Sequence, residues 1–275
     1  MSLDPGVTYR LLAGSDERHQ AETLIRELNG MRPETPLDPE CVVLGAFADD
    51  QLLGATVSRM VPEDAEPARV DQARLQVIGL AVLEEASGKG IAGGLMRLHR
   101  LLAIRKGVRL ITWEQDPLEG RLAHLAIRKL GAVSRSLRDE SRAGSGKVLE
   151  IEWWVSSPRV QTRLAGERPD LDLAHALEAG APKLNAGLLD EDGLLRPTGG
   201  DVPPEGAMAL LEVPHDLQAL RVRDPGLVDV WRIHLNSILT EAFSRGYWLT
   251  DYLWLRGEQV PRAYFLLIDG ERTLG

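Results

Sequence analysis

Leu75-Gln76-Val77-Ile78-Gly79-Leu80-Ala81-Val82 is followed, after Leu83 to Ala86, by Ser87-Gly88-Lys89-Gly90-Ile91-Ala92-Gly93-Gly94. The first run is apolar at nearly every position, the pattern of a central strand buried on both faces. The second cannot continue that strand, because its glycines favour a turn. Past the turn, Ile91, Leu95, Leu98 and Leu102 recur at helical spacing. A buried strand, a glycine-rich turn and a helix together make an anion site. Amides of the first helical turn point outward without intrahelical partners, and the helix dipole favours negative charge. Glycine or alanine at 88, 90, 92 and 93 leaves room for a pyrophosphate, and Lys89 adds a cation. The alternative is a turn whose glycines only permit close helix–sheet packing.

Periodicity extends the reading in both directions. Val7 to Leu12 is a strand, and Ser15 or Asp16 caps a helix carrying Ala21, Leu24, Ile25 and Leu28. Pro33, Pro36 and Pro39 end that helix. Cys41 to Ala48 and Gln51 to Met60 read as a hairpin turning at Asp49-Asp50. After the glycine turn and its helix come a strand at Arg109 to Trp113 and a helix at Glu119 to Leu130, ended by Gly131. Strands near Val133 to Leu137 and Lys147 to Val155 close the set. The order is β-α-β-β-β-α-β-α-β-β, an α/β sheet domain over residues 1–160. Residues 161–206 turn rich in proline, glycine and acids and read as a linker or lid. Residues 207–275 regain periodicity as strand, helix, strand, strand. This order echoes Leu75 to Val155 without its glycine turn, as a degenerate half-repeat would.

The composition excludes several classes. With 32 Lys and Arg against 41 Asp and Glu, the net charge is −9, and no part of the chain is a basic platform for nucleic acid. No apolar run is long enough to cross a bilayer, so no membrane association is expected. The single cysteine, Cys41, makes neither an intrachain disulfide nor a cysteine-based metal site, and a reducing cytoplasm is the expected compartment. No metal is expected either, since His215 and His234 lack ligand spacing.

The glycine turn satisfies G-x-G-x-x-G at Gly88, Gly90 and Gly93, as dinucleotide-binding proteins do. However, it follows the fourth strand rather than the first, and no acid ends the next strand at the required distance. Ser87-Gly88-Lys89-Gly90-Ile91-Ala92 instead resembles the Q/R-x-x-G-x-G/A signature of the GNAT superfamily of N-acyltransferases, with Ser87 in the place of Arg or Gln. Leu80-Ala81-Val82 stands at the spacing of that superfamily's splayed strand. Arg128-Lys129-Leu130-Gly131-Ala132 resembles the end of its later helix. A group of predicted GNAT acetyltransferases with a long C-terminal extension is similar over more of the chain. The similarity rests on Trp113 to Leu118, Trp154 to Val160, Val213-Pro214-His215-Asp216, and Trp231-Arg232 with Gly246-Tyr247.

The resemblance implies a mixed, mostly antiparallel sheet with a splayed central strand, plus a C-terminal α/β extension. It implies acetyl-CoA or another acyl-CoA, succinyl-CoA included, as co-substrate. The pyrophosphate would lie on Ser87, Gly88, Lys89, Gly90, Ile91, Ala92 and Gly93, and the pantetheine along Leu80, Ala81 and Val82. A small-molecule amine such as an amino acid would attack the thioester directly. The positions that carry an acid or base in many relatives hold Ile127, Gln76 and, for an asparagine, Leu122 or Ala126. The remaining catalytic candidates are Glu114 and Asp116, two apart at the end of the fifth strand and so on one face. Asp116 before Pro117 is equally a turn or helix-capping residue.

His124 reads as a base or a surface residue, and His99 as helix surface. Arg232 and Tyr247 are candidate acceptor-binding residues, an arginine suiting an acceptor carboxylate. Trp231 lies on an apolar face and reads as core, and Cys41 as a buried thiol. If C-terminal strands pair across chains, a homodimer follows. The competing functional reading is a non-catalytic acyl-CoA-binding or interaction module that kept the fold.

Overall fold

The computed structural model describes residues 6–29, 38–62, 73–139, 146–166, 173–199, 203–255 and 261–270. The chain forms two compact units, Met1–Trp113 with Trp154–Ser156, and Glu114–Trp153 with Ser157–Gly275.

The first unit contains β1 (Val7–Leu11), α1 (Ser15–Asn29), β2 (Val42–Ala48), β3 (Gln51–Val61), β4 (Arg74–Val82) and α2 (Ile91–Arg105). It also holds Leu110–Trp113 of β5 (Leu110–Gln115). Its strands lie in the order β1-β2-β3-β4-β5, antiparallel except for β4 and β5, which are parallel. The β2–β3 hairpin turns at Asp49-Asp50 as expected, with Asp49 in the left-handed region at φ 50°. Alternation along the strands supplies two apolar faces. On one, Val43, Phe47, Ala55, Val57 and Ala81 pack with Leu12, which follows β1, and with Ala21 and Ile25 of α1. On the other, Leu44 and Ala46 pack with Ile91 and Leu95 of α2. Gly94 is required here, because a Cβ at that position would overlap the ring of Tyr9.

The stripe that α2 buries differs from the one its leucines suggest. Ile91, Leu95, His99 and Ala103 are fully buried, whereas Leu98 and Leu102 are only partly so. His99, expected at the helix surface, is inside. It shares the i, i+4 row of Ile91 and Leu95, which faces the sheet.

The second unit continues with α3 (Gly120–Ala123), which widens to π-helical bonding over His124–Lys129 and ends at Gly131, φ 77°. Then follow β6 (Val133–Asp139), β7 (Lys147–Trp154), α4 (Pro158–Ala165) and α5 (Leu173–Glu178). A two-stranded hairpin, β8 (Asn185–Leu189) with β9 (Leu195–Gly199), precedes β10 (Met208–Val213). The chain finishes with α6 (Leu217–Arg223), α7 (Pro225–Ser244), β11 (Tyr247–Leu255) and β12 (Arg262–Asp269). The strand–helix–strand–strand order expected after residue 207 gains a second helix: α6 and α7, separated at Asp224, which caps α7, both lie between β10 and β11. The sheet runs β7-β6-β11-β12-β10, every pair antiparallel.

Two helix-to-hairpin segments meet edge to edge in this sheet. Gly131 and Gly246, both left-handed, end the helices before β6 and β11. Ser134 and Leu249, each three residues beyond its glycine, face one another.

Within 161–206, the described residues hold short elements attached to the second unit. The amide of Leu184 donates to the Leu210 carbonyl, and the amide of Leu210 to that of Pro182, both at 2.8 Å, so this segment occupies the outer edge of β10. Pro197 is tolerated in β9 because a two-stranded hairpin leaves each strand one unladdered side. The buried indole of Trp231 donates to the Leu195 carbonyl at 2.7 Å and fixes the hairpin to α7.

Candidate functional site

The parallel pairing of β4 with β5 covers Arg74↔Leu110, Leu75↔Ile111 and Gln76↔Thr112, and stops there, while β4 runs on to Val82. Two residues past the last pair, the β3–β4 register slips: Val57 faces Gly79 and Ser58 faces Val77, so Ile78 is an extra residue in β4. A bulge of this kind bends its strand and increases its twist. The strands therefore diverge within the first unit, with Val77–Val82 along the diverging stretch.

Beyond β4, a 3-10 turn over Glu84–Ala86 leads into the glycine turn. Gly88 and Gly90 adopt φ of 78° and 83°, conformations that an L side chain resists. Gly90 occupies the N-cap of α2 with no side-chain cap, and Ile91, Ala92 and Gly93 supply the first-turn amides. Nothing lies within 4 Å of a Cβ built on Gly88. Gly88 thus serves backbone conformation, and close packing falls to Gly94. Ser87, Gly88 and Lys89 are exposed. A helix start with no side-chain cap, preceded by an exposed turn that carries two left-handed glycines and a lysine, fits a pyrophosphate.

The second unit brings together two residues singled out for different roles. Asp116 Oδ2 accepts from the Arg232 guanidinium at 2.9 Å, and Oδ1 accepts from the Leu118 amide at 2.9 Å. The turn role and a charged contact therefore coexist in one carboxylate. Arg232 also reaches Asp229 at 3.1 Å. Its Cδ lies 2.8 Å from where a Cβ on Gly146 would stand, so only glycine fits there without displacing it. Glu114 is half-buried on the last part of β5. Tyr247 is not part of this pair. Buried at the start of β11 opposite Asp269, it donates its hydroxyl to the Gly206 carbonyl, and burial raises its pKa.

Sequence reasoning missed an aromatic group in the same unit. The His124 ring stacks on Trp254, with centroids 5.3 Å apart and planes at 15°. His215 meets the same indole edge-on at 5.4 Å. Tyr252 lies beneath, its hydroxyl against Gly120, and burial pushes its pKa up to about 12. The only signal available was the aromatic density between Trp231 and Phe265.

Ile127 is fully buried, and the Gln76 side chain accepts from Arg59 at 2.9 Å. Cys41 is buried, and desolvation raises its thiol pKa. Among the described residues, no group of three His, Cys, Asp or Glu side chains is placed to hold a metal ion. No helix among them is long and apolar enough to cross a membrane.

Residues 9–132 match the model of the acetyltransferase (GNAT) family. No protein of curated function matches the sequence. Among solved structures, an N-acyl amino acid synthase from uncultured soil microbes is similar at 16% identity and a TM-score of 0.45, over 59% of this chain and 98% of that one. An aminoglycoside acetyltransferase from an uncultured soil metagenomic sample is similar at 16% identity and a TM-score of 0.37, over 44% and 85%. A GNAT family acetyltransferase from Elizabethkingia anophelis, with acetyl-CoA bound, is similar at 15% identity and a TM-score of 0.37, over 55% and 99%. Through residues 9–132, where the β4–β5 ladder ends at Gln76↔Thr112 and the glycine turn opens α2, the chain matches the acetyltransferase (GNAT) family.

Proposed function

We propose that this protein transfers an acetyl group, or another acyl group such as succinyl, from acyl-CoA to a small-molecule amine by direct attack. The observation that carries this reading is the end of the β4–β5 ladder at Gln76↔Thr112, with β4 continuing to the glycine turn. Bound acyl-CoA supplies an activated thioester. The amides of Ile91, Ala92 and Gly93 hold its pyrophosphate, with Lys89 and the Ser87 hydroxyl beside them and Gly88 and Gly90 shaping the turn. Leu80, Ala81 and Val82 run along its pantetheine arm.

For the acceptor, the Asp116–Arg232 pair has the chemistry that complements an amino acid. A guanidinium suits the carboxylate, and a carboxylate suits the ammonium. Glu114, half-buried on the last part of β5, is the carboxylate we assign to take the amine's proton. Tyr247, tied to Gly206, contributes to the acceptor side only by supporting β11. We place the protein in the cytoplasm. A homodimer would use an edge other than that of β10, which residues 182–184 cover.

A second reading has its own support. Ile127 and Gln76 stand where relatives carry an acid or base, as would be the case in an acyl-CoA-binding module without chemistry. Calorimetric titration with CoA, acetyl-CoA and succinyl-CoA, with NAD as control, tests the shared part. Micromolar CoA affinity that changes with the acyl group is the expected result, and no CoA binding overturns both readings. A screen for CoA release with a panel of amines separates them.

A further inference from the structure

Gly79 follows the bulge of β4 and is held from two sides by groups the proposed chemistry does not use. From α1, Ile25 Cγ2 lies 2.5 Å from where a Cβ on Gly79 would stand, so the helix rests on bare backbone. From β3, the Thr56 hydroxyl donates to the Gly79 carbonyl at 2.8 Å. That hydroxyl has one proton. With it given to Gly79, Thr56 can only accept from His99 Nε2, 3.2 Å away. The tautomer of His99 is thereby fixed with its proton on Nε2. Thr56 and His99 are both fully buried, and His99 Nδ1 has no hydrogen-bond partner among the described residues. Burial holds the imidazole neutral, with its pKa lowered to about 4. A buried polar chain with one end unpaired is a costly way to fill a core position that leucine would fill.

We infer that Thr56 and His99 are positioning residues that set the path of β4 beyond its bulge, and so the alignment of the acyl-CoA pantetheine arm. The inference rests on the acyl-CoA reading above. The chain His99 to Thr56 to Gly79 ties α2 through β3 to the residue next to the bulge, Ile78. The ladder to β5 has already ended at Gln76, so this tie holds β4 where its parallel neighbour no longer does.

The test compares full-length wild type with Thr56→Val, His99→Leu, Thr56→Ser and His99→Gln. Two ligands are titrated by calorimetry: CoA, and adenosine 3′-phosphate 5′-diphosphate, which keeps the pyrophosphate and lacks pantetheine. Thr56→Val and His99→Leu are expected to weaken CoA by about tenfold, the scale of one lost buried hydrogen bond. The fragment's affinity should stay within about twofold, because the glycine turn is untouched. Thr56→Ser and His99→Gln, which keep a hydroxyl and a donor, should restore CoA affinity even if the apolar variants fold poorly. An equal loss for both ligands, or folded Thr56→Val with wild-type CoA affinity, overturns the positioning role. Wild type that binds the fragment and CoA equally well removes the pantetheine contact, and this inference with it. Wild type that binds neither ligand overturns the acyl-CoA reading itself.

Discussion

Gly88, Gly90 and Gly94 are close in sequence and serve separate purposes. Gly88 and Gly90 are left-handed, at φ of 78° and 83°, whereas Gly94 lets α2 approach Tyr9. Gly90→Glu is expected to abolish CoA binding by placing bulk and negative charge at the start of α2. Gly90→Asn, which tolerates φ above zero, should retain the fold. Calorimetry and thermal unfolding of both variants check this. Gly94→Ala is expected to destabilise by about 1–3 kcal/mol through overpacking, read from urea denaturation. Asp116 can be examined in the same spirit. Asp116→Asn keeps an oxygen for the Leu118 amide and removes the charge facing Arg232. If the pair binds acceptor, KM for the amine rises about tenfold or more with kcat retained. A fall in kcat at unchanged KM would instead make Asp116 the base.

Elements are joined by buried charges in the second unit. Asp251 on β11, 2% exposed at its side chain, takes Arg163 of α4 at 2.6 Å and Arg128 of the π-helical turn at 3.3 Å. Removing it leaves two poorly solvated guanidinium groups with one partner fewer. Asp251→Ala is therefore expected to cost about 3–5 kcal/mol, measured by chemical denaturation. Glu212 of β10 does similar work for the β8–β9 hairpin, accepting from the Gly187 amide at 2.9 Å and from Arg262 at 2.7 Å. Asn185 bonds the backbone of Glu212 in both directions. These ties explain how the β8–β9 hairpin is held in place with little apolar periodicity. Its strands are short, and polar side chains fasten them.

At the scale of the whole molecule, His99 links pH to stability. Its pKa is lowered to about 4 by burial, against about 6.5 when unfolded. Between those values the unfolded chain binds a proton that the folded chain does not. Stability therefore falls as pH drops from 6.5 towards 4, by up to about 3 kcal/mol. Urea titrations at pH 7 and pH 5 should show this fall, reduced in His99→Gln. Local spacing in the sequence determined much of the architecture. The β-α-β-β-β-α-β-α-β-β order, the Asp49-Asp50 hairpin and the turn before α2 all follow from periodicities of two or 3.6 residues and from glycine and proline. Such signals act over a few neighbours, so the chain carries them in plain order. The tertiary structure alone decided that His99 lies inside, that Asp116 meets Arg232, and that Trp254 gathers His124 and His215. Each is a choice of partner across distant positions, made by how faces pack, and a helical row that reads as surface becomes core only when a sheet covers it.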